Sequence, residues 1–203
     1  YALAKTWQGL SRNELIEAVK LQNNGNTSRA LDELVSSGFI SAYYAFGKKL
    51  KDLRYRLTDE YSLFYLKFIE ESQGFGQSSW QTISHTQSWK SWSGYAFENL
   101  ALRHSTQIKK ALGISGIYTT TSSFYVKGTP QQQGLQIDLL IDRSDHAINL
   151  CELKFYKSEI VLTKTMAKEL RTKLALFQAV SQTNKQIFIT LIAPFGIIPN
   201  EHS

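Results

Sequence analysis

Two carboxylates and a lysine on a predicted β-hairpin are the residues of this 203-residue chain whose spacing favours chemistry. Two apolar runs flank a polar turn centred on Asp145, which predicts two antiparallel strands. Asp138 and Glu152 are equally distant from that centre in sequence, so an unbroken hairpin places them opposite each other. Strand alternation then puts Gln136 and Lys154 on the same face as the two carboxylates.

The chemistry that this face favours is cleavage of a phosphodiester. Carboxylates that face each other repel, and they relieve the repulsion by sharing a proton or a cation. Mg²⁺ takes oxygen ligands, typically one or two carboxylates with water and phosphate. Lys154 could hold a phosphate or polarise a water, and Gln136 is a candidate for substrate binding. The alternative is a solvated ion pair on an ordinary hairpin.

The other face of the predicted hairpin is apolar, and alternation assigns it Ile137, Leu139, Ile141, Cys151, Leu153 and Phe155. Around the hairpin, helical spacing predicts one helix over residues 94–113, with Glu98 at the edge of its apolar stripe, and a basic amphipathic helix over residues 163–178. Residues 186–192 predict a buried strand. The predicted order is therefore helix, strand, hairpin, helix, strand.

Glu98 on a first helix, Asp138 on one strand and Glu152-Leu-Lys154 on the next, followed by a basic helix and a strand, resemble the PD-(D/E)XK nuclease superfamily. The resemblance covers about residues 93–192 and implies a restriction-endonuclease-like mixed sheet. It implies that Asp138 and Glu152 bind Mg²⁺, for which Mn²⁺ can substitute. It also implies that Glu98 supplements the metal site and that Lys154 orients or activates the attacking water.

Two further features bear on this resemblance. Ile137 stands where the family motif has proline, a position that is loose across the superfamily. The helix after the motif often contributes another polar residue, for which Lys164, Lys168 and Gln178 are the candidates; the two lysines are the substrate-binding ones.

Longer stretches of the same region carry a second resemblance. Gly-Tyr-Ala-Phe-Glu-Asn-Leu at 94–100, Gln-Ile-Asp-Leu-Leu-Ile-Asp-Arg at 136–143 and Cys-Glu-Leu-Lys-Phe at 151–155 resemble the C-terminal region of a group of prokaryotic AAA-type ATPases. There a nucleotide-binding domain precedes a winged helix and a nuclease-like domain. The resemblance implies an ATPase domain as partner, with ATP bound only in that domain, which precedes this sequence. A chain that starts at Tyr1 is consistent with a C-terminal part of a longer protein.

Residues 1–72 predict a separate winged-helix module, residues 73–92 a linker and residues 93–203 the nuclease-like domain. A capping-box pattern from Ser11 to Glu14 opens a first helix, a second helix follows, and two strand-like runs at 39–46 and 53–58 form the wing. The cations that this module could place on DNA are Arg29, Lys48, Lys49, Lys51, Arg54 and Arg56. The alternatives are that they solvate an exposed hairpin, or that the module is a spacer or a docking surface for the ATPase domain.

Composition agrees with a DNA partner and excludes some functions. The net charge of +6 and pI near 9.3 favour a polyanion. No apolar run is long enough to span a bilayer, and a lone cysteine, Cys151, fits a reducing cytoplasm. The chain has no Gly-Lys-Ser/Thr loop, so we do not expect it to hydrolyse ATP by itself.

The sequence thus predicts an α/β chain, α+β overall, with a winged helix followed by a mixed-sheet domain. Two functions stay open. The first is a metal-dependent DNA endonuclease. The second is an inactive nuclease-like module that binds DNA or a protein partner. A homo-oligomer would matter for the first, because one site cuts one strand.

Overall fold

The computed structural model describes residues 1–6, 8–44, 46–47, 53–70, 81–126, 128–129 and 133–202. The chain divides into two compact units, of which unit 1 is Tyr1–Tyr44 with Lys48–Asn99 and unit 2 is Ala45–Gly47 with Leu100–Ser203. Each unit combines helices with a sheet, so the predicted α+β composition is confirmed. Among these described residues, no helix combines the length and the apolar character needed to cross a membrane.

Unit 1 is built from a three-stranded antiparallel sheet and helices before and after the sheet's hairpin. Its elements are β1 (Leu10–Ser11), α1 (Arg12–Val19), α2 (Gly25–Ser36), β2 (Ile40–Tyr43), β3 (Arg54–Leu57), α3 (Glu60–Phe64) and most of α4 (Gln87–Arg103). The strand order is β1-β3-β2. The predicted capping box at the start of α1 is confirmed. The Ser11 side chain accepts a hydrogen bond from the Glu14 backbone N–H, and the Glu14 carboxylate accepts one from the Ser11 backbone N–H.

The short strand β1 reaches β3 because of a glycine. Gly9 has a φ of +63°, and a Cβ at this position would lie 2.2 Å from the carbonyl oxygen of Tyr55. Only glycine combines that left-handed conformation with so close an approach. The core behind the sheet consists of buried side chains from α1, α2, α3, α4, β2 and β3, namely Leu15, Leu31, Ile40, Tyr55, Leu57, Leu63 and Tyr95.

Unit 2 is built around a four-stranded mixed sheet. After the end of α4, its elements are α5 (Ser105–Ala111), β4 (Thr119–Val126), β5 (Leu135–Arg143), β6 (Ala147–Leu153), β7 (Ile160–Val161), α6 (Lys164–Ser181), β8 (Gln186–Ile192) and β9 (Ile197–Ile198). The order is β4-β5-β6-β8, with β8 parallel to β6 and the other pairs antiparallel. Strands β7 and β9 form a separate parallel pair.

The predictions for this unit hold for its later elements and fail for the first helix. The predicted basic helix is α6, capped by Thr163, and the predicted last strand is β8. The expectation that this strand is buried is wrong, because among the described strands β8 pairs only with β6, at the edge of the sheet, and Phe188 and Ile189 are exposed. The single helix expected over 94–113 is instead α4, which already begins at Gln87 in the predicted linker, and α5. The two are separated at His104, whose backbone leaves the helical region with φ −101° and ψ 25°.

The predicted register of the β5–β6 hairpin is confirmed. Leu139 pairs with Cys151 and Asp142 with Ile148, and both pairs are centred on Asp145. The three-residue turn closes at His146, which adopts a left-handed conformation with φ +62°. Turns of this length commonly end in one left-handed residue.

A β-bulge interrupts β5 at the candidate site residue Asp138. Strand β4 pairs Ser122 with Leu140 and then Phe124 with Ile137, so two residues of β5 lie opposite one residue of β4. The bulge resets the alternation of side chains. The predicted apolar face is therefore wrong at Ile137, which packs in the same buried cluster as Leu140.

Helix α6 packs on the sheet through Phe177, which is fully buried. Its ring lies 5.0 Å from that of Phe124 and 5.6 Å from that of Phe46, which belongs to unit 2. Aromatic pairs at these separations add to the free energy gained by burial. This contact fixes the helix on the sheet and with it the side chains one turn away.

Replacing Phe177 by alanine is expected to lower the free energy of unfolding of unit 2 by about 3–5 kcal/mol, because a large cavity opens in a dry core. Urea unfolding followed by circular dichroism measures the loss. Phe195→Ala is the matched control, since Phe195 is 57% exposed and its truncation should cost less than about 1 kcal/mol. Equal losses for the two variants would contradict the packing described here.

Candidate active site

Glu152 is a charged residue near the end of a strand that is otherwise apolar or neutral and wholly buried. All 7 residues of β6 are buried, and Glu152 itself is 6% exposed. A carboxylate in such a position requires a compensating charge. Lys154 Nζ lies 2.9 Å from its Oε1, and Lys173 Nζ lies 2.6 Å from its Oε2. Each carboxylate oxygen of Glu152 therefore accepts a hydrogen bond from one lysine ammonium.

The backbone of Lys154 is held by the sheet. Its N–H donates to the carbonyl oxygen of Ile192 at 3.0 Å, which extends the β6–β8 ladder by one residue. The side chain is 40% exposed, so the ammonium reaches solvent on one side and Glu152 on the other. The expected position of Lys154 beside Glu152 is thus what the structure shows.

Lys173 is the site residue that sequence reasoning missed. It lies on α6, and its ammonium donates to Glu152. The signal was present in the sequence, because Lys173 falls on the apolar stripe formed by Leu170, Leu174 and Phe177 at helical spacing. A lysine on the buried side of an amphipathic helix must extend its ammonium towards a partner or solvent.

The candidates named on α6 lie elsewhere on the helix. Lys164 and Lys168 are exposed in its first two turns, and Gln178 is exposed near its end. None of the three is hydrogen-bonded or ion-paired to Glu152, whereas Lys173 is.

Asp138 lies at the bulge, one residue beyond the last β5–β6 pair. It is partly buried, and Gln136 Nε2 donates to its Oδ1 at 3.2 Å. Burial and, next, the negative charge of Glu152 raise the pKa of Asp138, against smaller opposing effects of Lys173, Gln136 and Lys154. The two carboxylates are therefore electrostatic neighbours although they do not pair across the strands.

The pKa of Glu152 moves in the opposite direction to that of Asp138. Burial alone would raise it, but the charges and hydrogen bonds of Lys173 and Lys154 outweigh burial and lower the pKa of Glu152. Burial likewise opposes the charge of Lys154, yet its hydrogen bond and attraction to Glu152 raise the pKa of that ammonium. One carboxylate is thus held ionised while its neighbour is harder to ionise.

A cavity of about 80 Å³ adjoins the two lysines. Its lining comes from the end of β6, from α6 and from β8, namely Glu152, Lys154, Met166, Glu169, Leu170, Lys173 and Leu191. A water needs a volume of about 10–15 Å³ for its centre, so this cavity has room for several. The cavity therefore has room for small ligands or ions beside Glu152.

The donors at this site suit a hard cation. In the described ranges, no group of three or more His, Cys, Asp or Glu side chains could hold a metal, so Asp138 and Glu152 would act as a pair. Mg²⁺ accepts such a pair when water and phosphate complete its shell. Burial raises the pKa of the neighbouring Cys151 to about 12, so its thiol stays protonated and unsuited to soft metals.

Glu98 and Arg56 form an ion pair in unit 1. Arg56 is 7% exposed, and its Nη2 lies 3.2 Å from the Glu98 carboxylate while its Nε donates to the Tyr95 hydroxyl. Arg56 was expected on an exposed wing, and the structure instead buries it with a carboxylate and a tyrosine ring. Glu98, expected to assist the metal, has this arginine as a partner.

Two other cations predicted to contact DNA, Arg29 and Arg54, form ion pairs within unit 1. Arg29 is exposed on α2 and pairs with Glu33 one turn later. Arg54 pairs with Glu14 and donates to the carbonyl oxygen of Gly9. Lys48, Lys49 and Lys51 lie outside the described residues.

Comparison of the chain with models of known protein families, with curated protein sequences and with solved structures finds no match.

The two carboxylates are expected to affect stability with opposite signs. The folded-state pKa of Asp138 is raised. Its stabilising contribution to folding is therefore fully present below the unfolded-state pKa of about 3.9, and it is lost as the pH rises through the folded-state pKa. The lowered pKa of Glu152 gives a contribution present above about 4.3 and lost as the pH falls through the folded value. At pH 7 in EDTA, Asp138→Asn should raise the free energy of unfolding by about 1 kcal/mol, and Glu152→Gln should lower it by about 2 kcal/mol.

Urea unfolding at pH 7 and pH 3 measures both effects. Asp145→Asn is the control, since Asp145 is in the exposed turn and its pKa is lowered by the hydrogen bond from Arg143. That substitution should slightly destabilise the protein. If Asp138→Asn destabilises it as well, repulsion between Asp138 and Glu152 is not significant.

Proposed function

We propose that unit 2 is a PD-(D/E)XK-like domain that hydrolyses phosphodiesters of DNA with Mg²⁺ or Mn²⁺ held by Asp138 and Glu152. One observation carries the proposal. Two neighbouring carboxylates have pKa values displaced in opposite directions, beside two lysines and a cavity that admits small ligands. Such displaced pairs are typical of catalytic sites more than of surface ion pairs.

The order of elements supports the same proposal. Three antiparallel strands are followed by α6 and by the parallel strand β8, which is the succession that the family resemblance implies. The carboxylates lie on β5 and β6, and Lys154 directly follows β6. Asp138, Glu152 and Lys154 thus lie on, or directly after, the elements that the resemblance implies, which supports the proposal.

A bound divalent cation would neutralise charge on the scissile phosphate and lower the pKa of a coordinated water. The raised pKa of Lys154 keeps its ammonium protonated, so this residue is a hydrogen-bond donor to water or phosphate and is unsuited to act as a base. Gln136 orients Asp138 through its amide. Lys164 and Lys168, exposed on α6, are available for contact with the DNA backbone.

For unit 1 we propose a winged-helix module. Two helices between β1 and β2, and a sheet ordered β1-β3-β2, support this assignment. Its contact with DNA would use Arg29 and the lysines of the connection between β2 and β3 more than Arg56, which is buried. The proposed setting is a cytoplasmic ATPase whose nucleotide-binding domain precedes this region, acting on DNA through one or two copies of the chain.

A second function is favoured by a specific observation. Both oxygens of Glu152 are bound to lysines, and Glu98 is bound to Arg56. Ion pairs of this kind also occur in folds that have lost catalysis, in which they satisfy buried charge. Under this alternative, the chain is an inactive nuclease-like module that binds DNA or the ATPase domain.

Asp138→Asn and Glu152→Gln are each expected to lower Mg²⁺-dependent cleavage of DNA by about 10³-fold or more, because the cation loses an anionic ligand. Lys154→Met should lower cleavage by about 10²-fold through loss of a positioned donor. The assay follows single-stranded, duplex and branched DNA on gels with Mg²⁺, Mn²⁺ or EDTA.

Asp145→Asn on the same hairpin is the matched control and should cleave like the wild type. Cleavage that survives both carboxylate substitutions would refute the assignment of the site. DNA binding without cleavage by the wild-type protein would support the inactive module instead.

A further inference from the structure

Lys173 is bound to a carboxylate oxygen that a metal would need as a ligand. Its ammonium lies 2.6 Å from Glu152 Oε2, and Lys154 holds Oε1 at 2.9 Å. A carboxylate oxygen binds a cation through the same lone pairs that accept these hydrogen bonds. With both oxygens engaged, a divalent cation must displace or crowd at least one ammonium.

We propose that Lys173 is a built-in counter-cation that closes Glu152 in the metal-free protein and leaves it when a divalent cation binds. This inference rests on the metal site proposed above. The Lys173 ammonium and the divalent cation would compete for the Glu152 carboxylate. The affinity for the metal would then depend partly on a lysine that is not itself a ligand.

Lys173 comes from a different element than Glu152, so its ammonium can move independently of β6. Lys154 follows Glu152 on the same chain segment, and its backbone is bonded to Ile192. Lys173 reaches across from α6 on a flexible four-carbon stem, is 35% exposed and lines the adjoining cavity. An ammonium released from Glu152 therefore has space and solvent to move into.

The charges give the direction of the effect. Lys154 and Lys173 place two positive charges against the single carboxylate of Glu152, so the metal-free site already holds cations where the metal would bind. A divalent cation added to that site meets two ammoniums within a few ångströms, in surroundings that screen charge less than water does. Departure of one ammonium removes the strongest of these repulsions.

The test is calorimetric titration of the chain with Mn²⁺, comparing the wild type, Lys173→Met and Arg171→Met. Arg171 is exposed on the same helix, so its substitution removes the same charge without touching Glu152. Lys173→Met is expected to lower the Kd for Mn²⁺ about tenfold, a typical coupling between two sites. Arg171→Met is expected to change it less than about twofold.

A second measurement covers the case in which Lys173→Met does not fold. In wild-type protein labelled with ¹⁵N-lysine, the Lys173 ammonium resonance seen in EDTA should lose its hydrogen-bonded signature at saturating Mg²⁺. A resonance that persists unchanged in the metal-bound protein would overturn the inference.

The outcomes separate this inference from the function on which it rests. Metal binding by the wild type with an unchanged or weaker affinity in Lys173→Met would overturn the role of Lys173 and leave the metal site standing. If the wild type and the folded variants all bind no metal, the metal site itself is refuted and the inference falls with it.

Discussion

Burial of the Glu152 carboxylate is the constraint on which the arrangement of unit 2 depends. β6 is paired on both sides and wholly buried, so a charge near its end loses most of its hydration. An unpaired ion in that position would cost several kcal/mol. Two lysines offset the cost, one directly after the strand and one from α6, and the helix must therefore keep a fixed position over the sheet. Phe177, one turn beyond Lys173 and fully buried, holds it there.

The bulge in β5 adds the second half of the site. Without it, Asp138 would pair directly with Glu152 and two like charges would face each other across the strands. The β5–β6 pairing ends at Leu139, next to the bulge, and Asp138 is still close enough for the charge of Glu152 to raise its pKa. Bulges next to active sites commonly re-aim one side chain in this way.

Unit 1 meets a similar constraint with the opposite charge. Arg56 on β3 is buried, and it is compensated by Glu98 and by the hydroxyl and ring of Tyr95 on α4. The pair ties a strand to the helix that completes the core of that unit. A guanidinium bound in this way stabilises the unit and has little freedom to contact a phosphate.

Much of unit 2 could be predicted because local patterns determine it. The hairpin register follows from the position of its polar turn, and α6 and β8 follow from apolar periodicity and the Thr163 cap. The bulge could not be predicted, since it depends on how β4 pairs with β5, and β4 lies outside the hairpin. Burial of Arg56 was missed because alternation in a short strand does not reveal which face a distant helix covers. Lys173 was recognisable as a lysine on an apolar stripe, but its partner was not.

Under the proposed function, Asp138 and Glu152 together hold a divalent cation. The most direct measurement is a crystal structure of the protein with saturating Mn²⁺, with anomalous scattering used to locate the ion. The account predicts one strong peak between about 2.0 and 2.6 Å from an oxygen of each carboxylate, with the Lys173 ammonium moved away from Glu152. No peak at this position, with Lys173 still bound to Glu152 Oε2, would contradict it.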